Sequence, residues 1–299
     1  MVVQKKFYDP DAFQKLANMK LIARAIVEGF ISGLHRSPYH GSSVEFAEYR
    51  KYVPGDDLKH FDWKVYAKSE RHYIKQYQEE TNLRAYILLD SSKSMDFKSD
   101  SAKLTKFEYS CYLASALTFL MTRQKDSVGL VTFSDEVRDF VPPKSGPVHF
   151  QNILTVLENT AAEGETVIAK NFHSLAETVK KRGLIIVISD LLEDPGEILR
   201  ALHHFRHKRH EVLIFHVFDP AELTFPFNQL ATFRDMETGE QLQVFPRAYQ
   251  KEYLDKLEEF IQTYRRECTE NLMEYVVVDT TAPYDLFLAA YLSKRALLG

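Results

Sequence analysis

Five short runs in the chain are apolar at almost every position: LRAYILL (Leu83 to Leu89), SVGLVTF (Ser127 to Phe133), GLIIVIS (Gly183 to Ser189), EVLIFHVF (Glu211 to Phe218) and EYVVVDT (Glu274 to Thr280). A strand with one wet face alternates apolar and polar residues, so a run without alternation must be covered on both faces. The segments between these runs have helical length and spacing: Leu104 to Gln124, Phe150 to Asn159, Asn171 to Arg182, Pro195 to His207, Arg247 to Glu267 and Pro283 to Leu298. Alternating buried strands and helices predict an α/β fold, a mostly parallel central sheet with helices on both faces in a Rossmann-type three-layer arrangement. VRDFVPP ends in two prolines that cannot donate to a ladder, so it reads as a short edge strand. LATFRDMETGEQLQVF reads as a hairpin insertion near residues 229–246, turning at Glu237 to Gly239.

The first 80 residues read differently. Asp11 to Ile31 carries Phe13, Leu16, Met19, Ile22, Ile26 and Phe30 at helical spacing, a helix ended by Gly33. Leu34 to Trp63 is rich in turn residues. YIKQYQ (Tyr73 to Gln78) is expected to pair as a hairpin with Leu83 to Leu89, with Tyr73, Tyr77 and Tyr86 in cross-strand packing rather than forming a base-stacking platform. Two domains are expected: 1–80, an N-terminal helix and β segment packed on the main body, and 81–299, the main α/β domain. Lys and Arg total 38 against 42 Asp and Glu, and this lack of basic excess argues against a nucleic-acid partner. No apolar run reaches the length of a bilayer span and the N-terminus lacks a signal-peptide core, so the expectation is a cytoplasmic protein. Two distant cysteines, Cys111 and Cys268, do not suggest a disulfide framework.

Open α/β sheets place their sites outside the carboxyl ends of strands, where strand order changes. The run at Leu83 ends in Asp90-Ser91-Ser92-Lys93-Ser94, and the run at Gly183 ends in Asp190. Between them, AAEGETVIAKN carries Thr166 in a loop before a helix. If those two strands are neighbours, two carboxylates and the hydroxyls of Ser92, Ser94 and Thr166 meet at one spot. Such an oxygen-only set suits Mg²⁺ or Mn²⁺ and not zinc. A plainer reading is also open: Asp and Ser after a strand form turns and helix caps, Asp190 for the helix at Pro195 and Thr166 for the helix near Asn171. His203 and His207, four apart on a helix, read as favourable cations at its C-terminus rather than as metal ligands.

Asp90-x-Ser92-x-Ser94 resembles the metal-ion-dependent adhesion site of von Willebrand factor A domains, with Thr166 matching the second-loop threonine and Asp190 the third-loop aspartate. Glu165 stands where that loop often has a second glycine. Further upstream, Arg50, Tyr52, Gly55, Asp56 and Asp57, then Asp62-Trp63, resemble the signature of the bacterial "domain of unknown function 58" family, with Lys59 and Lys68 where arginine is usual. The resemblance implies a von Willebrand factor A-like fold and a metal site of Asp90, Ser92, Ser94, Thr166 and Asp190. It further implies a non-enzymatic module that binds an acidic residue of a protein partner, a MoxR-type AAA+ ATPase, in chaperone-like or assembly work. The helix at Pro283 to Leu298 would couple occupancy to shape, as in adhesive relatives. The rival expectation is a Mg²⁺-dependent phosphohydrolase with Asp90 as nucleophile. Its general acid would be needed two residues on, where Ser92 stands, and no GxxxxGK[ST] phosphate cradle occurs.

Overall fold

The computed structural model describes residues 18–34, 49–51, 73–75 and 83–296. The chain divides into two compact units, residues 1–31 with 83–299, and residues 32–82. In the smaller unit, β1 (Tyr49–Lys51) pairs antiparallel with β2 (Tyr73–Lys75). The expected hairpin between Tyr73 and Leu89 is therefore corrected. The strand β3 (Arg84–Asp90) has both edges filled by other parallel strands, and β2 finds its partner in β1. The cross-strand packing expected of Tyr73, Tyr77 and Tyr86 involves side chains outside the described residues. Residues 52–63 and Lys68, with most of the upstream signature, lie outside the described residues, as do residues 11–17 of the first expected helix.

The larger unit is a six-stranded sheet in the order β10-β7-β6-β3-β4-β5, where β4 is Ser127–Phe133, β5 Val137–Lys144, β6 Leu184–Ser189, β7 Glu211–Phe218 and β10 Glu274–Asp279. All pairs are parallel except β4 with the edge strand β5. The period-2 alternation splits each apolar run between two cores. Ala85, Ile87, Leu89, Ile186, Ile188, Phe215 and Val217 face one side, under α1 (Met19–Leu34), α2 (Lys106–Arg123) and α8 (Asp285–Ala296). Tyr86, Leu88, Val131, Ile185, Val187 and Ile214 face the other, under α4 (Ile168–Thr178), α5 (Pro195–His207) and α7 (Pro246–Glu270). The helix α3 (Pro147–Asn159) flanks the first side, its Ile153 and Leu157 in that core. Ile22, Ile26, Val27 and Phe30 bring α1 into the same core. The sequence groups this helix with residues 1–80; it packs within the sheet unit. The hairpin insertion is β8 (Ala231–Arg234) with β9 (Gln241–Val244), after a short α6 (Pro220–Thr224).

From β3 the chain crosses to β4 on one side, and from β6 to β7 on the other. The strand order thus reverses between the neighbours β3 and β6, and the crevice at their carboxyl ends is the switch point. No helix among the described residues is long and apolar enough to cross a membrane.

A buried carboxylate closes the opposite end of the sheet. Asp126, fully buried, accepts from the Leu83 amide at 3.1 Å, from Arg295 Nε at 2.6 Å and from Arg295 Nη2 at 3.1 Å. It ties the start of β3 to the end of α8. Asp126→Ala strands these donors, so the unfolding free energy is expected to fall by about 3 kcal/mol. Urea unfolding should show an earlier midpoint at unchanged slope. Gly129 is a second pressure point. A Cβ there would stand 2.7 Å from the Val141 carbonyl oxygen, where β5 shifts register against β4. Gly129→Ala is expected to lower the thermal midpoint by displacing the edge strand, read from loss of amide exchange protection across residues 137–144.

Candidate functional site

The first loop is built by the end of β3. Ser91 is pinned to β4, its amide donating to the Phe133 carbonyl at 2.7 Å and its hydroxyl to the same oxygen at 3.0 Å. Chain direction then turns into a 3-10 turn, Lys93–Asp96, with Ser92 extended before it. Asp90 Oδ1 accepts from the Ser92 amide at 2.9 Å and Oδ2 from the Ser189 hydroxyl at 2.6 Å. The Ser94 hydroxyl donates to Asp190 Oδ2 at 2.8 Å and lies 3.1 Å from the Ser92 hydroxyl. Since Ser94 has spent its one hydrogen on Asp190, Ser92 is the donor of that pair. Asp90, Ser92, Ser94 and Asp190 therefore form one buried hydrogen-bonded chain across the β3/β6 switch point.

Three residues not singled out from the sequence shape the two carboxylates: Lys106 and His216 at Asp190, and Ser189 at Asp90. Lys106, in the first turn of α2 and 1% exposed, donates to Asp190 Oδ2 and to Glu222 Oε1, each at 2.8 Å. Burial works against this ammonium, but the two carboxylates outweigh it and its pKa is raised. His216 of β7 lies 2.8 Å from the Asp190 carbonyl through Nε2 and 2.6 Å from the Tyr275 hydroxyl through Nδ1. Burial pushes its pKa down to about 3, so the ring is neutral. A carbonyl only accepts, so Nε2 carries the hydrogen and Nδ1 accepts from Tyr275. Ser189 is the third. A buried lysine among apolar helix positions and a histidine inside an apolar strand are the sequence signals that mark such residues, but neither names its partner.

Burial first, then the nearby charge of Asp190, raises the Asp90 pKa to about 7, against the bonds from Ser189 and Ser92. Among the described residues, the buried Asp190 Oδ1 has no hydrogen-bond partner. Two buried carboxylates that repel, one with an orphaned oxygen, are an arrangement that a cation relieves.

The second loop lies against the first. The Glu163 amide donates to the Ser91 carbonyl at 2.8 Å, and the Lys93 amide to the Gly164 carbonyl at 3.0 Å. Gly164 has φ +83°, a left-handed conformation that suits glycine. Arg138 braces the loop through the Glu163 carbonyl at 2.6 Å and the Ser134 hydroxyl at 2.8 Å. Thr166 follows two residues after Gly164 in this loop, and its side chain is not bonded to the other four residues. Its hydroxyl and its amide both donate to the Glu237 carboxylate, from the tip of the β8–β9 hairpin. The capping alternatives do not hold. Asp194 caps α5, accepting from the Glu197 amide at 3.0 Å, and Val167 is the residue before α4. At the α4 end, Glu193 takes the free amides of Ile168 and Ala169. Among the described residues, no three His, Cys, Asp or Glu side chains are grouped to hold a metal ion. The donor set is two carboxylates with hydroxyls, which fits a small hard cation that keeps some of its waters. Ser94 and Thr166 suit such a role because each gives its hydrogen to a carboxylate and keeps lone pairs.

The chain is similar to several known proteins. An uncharacterized protein of Mycobacterium bovis is 27% identical over 236 residues, covering 77% of this chain and 73% of its own length. Among solved structures, the conserved hypothetical protein BatB from Bacteroides thetaiotaomicron matches with TM-score 0.48 and 18% identity, over 72% of this chain and 98% of its own. The SpRpn10 VWA domain matches with TM-score 0.42 and 13% identity, over 70% and 94%. The family model described as "Protein of unknown function DUF58" matches residues 48–259. The chain belongs to that family.

Proposed function

We propose that this chain is a metal-dependent protein-interaction module. In this reading Asp90, Ser92, Ser94, Thr166 and Asp190 hold Mg²⁺ or Mn²⁺, directly or through water, and a carboxylate from a partner completes the shell. The observation that carries it is the buried, unpartnered Oδ1 of Asp190 beside a second buried carboxylate whose pKa its charge helps to raise. Lys106 occupies the other Asp190 oxygen, so it orients the carboxylate and leaves Oδ1 for the ion. His216 fixes the backbone at the same residue. The partner class carried over from the family resemblance is a MoxR-type AAA+ ATPase, whose contribution would be an exposed Asp or Glu.

The phosphohydrolase reading gains no support from the geometry. Asp90 is fully buried with a hydrogen bond on each oxygen, an unfavourable state for a nucleophile, and Ser92 stands at the general-acid position.

Two measurements check the proposal. Mg²⁺ at about a hundred times its dissociation constant should stabilise the fold by about 2.7 kcal/mol, reversed by a chelator. Asp90→Asn, which keeps the shape and removes the charge, should abolish that stabilisation; an equal Mg²⁺ response in the variant refutes the site. In the second, a purified MoxR-type ATPase is titrated against the full chain. Binding should be lost with chelator and with Asp90→Asn alike, and binding indifferent to both removes the metal from the interaction.

A further inference from the structure

The hairpin β8–β9 is a detour from the sheet, yet its tip meets the second loop at Thr166. The tip is stiff. Asp235 Oδ1 accepts from the Glu237 and Thr238 amides at 2.8 and 2.7 Å, and the Asp235 amide donates to the Glu240 carbonyl at 2.8 Å. Gly239, at φ +76°, closes the turn with a bond from its amide to the Asp235 carbonyl at 3.1 Å. These bonds hold the turn without help from the Glu237 side chain, which is left to reach outward. Its two oxygens take the amide and the hydroxyl of Thr166. Glu240, on the same turn, is exposed.

Along β8 the hairpin is anchored by aromatic rings. Phe233 stacks on Phe225 at 5.8 Å, and Phe225 stacks on Tyr253 of α7 at 4.4 Å.

We propose that Glu237 is the chain's own acidic ligand at this site, carried by the hairpin tip to the position that a partner's carboxylate must take. The inference rests on the reading of Asp90 to Asp190 as a cation site. Thr166 is the residue of the set whose side chain meets no other member of it, and the group that meets it is a carboxylate. Bonding the hydroxyl hydrogen to Glu237 leaves the oxygen lone pairs of Thr166 directed elsewhere, so threonine and glutamate can face one ion together. A partner's acidic residue then competes with an internal one already at high effective concentration. The module is thereby closed to weak acidic ligands and opened by those that displace the hairpin tip.

Mn²⁺ alone is the probe, titrated into the full chain by calorimetry and by water-proton relaxation. The wild type should bind it with few exchangeable waters. Glu237→Ala should bind it about tenfold more weakly and with an additional exchangeable water. Added acetate should remove that water in the variant and leave the wild type unchanged. Glu237→Gln keeps an acceptor for Thr166 and loses only the charge, so it should also weaken Mn²⁺ binding, whereas Glu240→Gln should match the wild type. Wild-type affinity and hydration in Glu237→Ala, with binding still lost in Asp90→Asn, would overturn the role of Glu237 and leave the cation site standing. Absence of Mn²⁺ binding in the wild type would overturn both.

Discussion

The parallel pairing of β3 with β6 is the interaction on which the rest depends. Ala85 to Leu89 lie level with Leu184 to Ile188, all buried, in the middle of the sheet. The pairing is parallel, so both strands deliver their carboxyl ends to one edge. Leu89 is level with Ile188, which sets Asp90 level with Ser189 and leaves Asp190 one residue beyond. That offset accounts for the Ser189 hydroxyl on Asp90 and for the reach of Asp190 to Ser94. A slip of one residue would reverse the side-chain alternation of a strand buried on both faces and part the two carboxylates.

Around this edge the chain assembles polar groups that are costly to bury. Asp190 and Glu222 share one lysine, Lys106, whose ammonium bridges them. His216 is kept neutral by burial and serves as a strut. A buried ion pair is weak evidence for stability, since the desolvation of its members offsets much of their attraction. Its persistence at a switch point, beside an unpartnered carboxylate oxygen, is better explained by function than by folding.

The site is composite, and each loop is held by bonds to its neighbour rather than by its own local geometry. The second loop leans on the first through Glu163 and Gly164, and Arg138 from β5 braces it from outside. The hairpin approaches through Glu237 alone among the contacts described above. The proposed cation site and its internal ligand thus belong to elements with very different anchoring: a sheet core on one side and a turn tip on the other. A device that must accept and release a partner is served by such a contrast.

Much of the sheet domain was legible in the residues. Uninterrupted apolar runs such as LIIVIS have no stable place except between two helical layers, and prolines in VPP confine that strand to an edge. Asp90, Ser92, Ser94 and Asp190 could be placed together because strand ends in an open sheet share an edge. The sequence also marked the hairpin at 231–244, since TG between two alternating runs is a turn. It misled at Tyr73, where local spacing suggested a hairpin with Leu83 to Leu89. Strand pairing is decided by which edges are free, and β3 has none. The partners of Lys106, His216 and Glu237 were equally out of reach, because contacts between side chains dozens of residues apart depend on how helices and turns dock. Periodicity and turn chemistry are local, so the amino-acid order by itself determined the elements, the buried sheet and the polar ends of its strands. Which oxygen meets which proton across those ends is a matter of packing distance, and only the tertiary structure decided it.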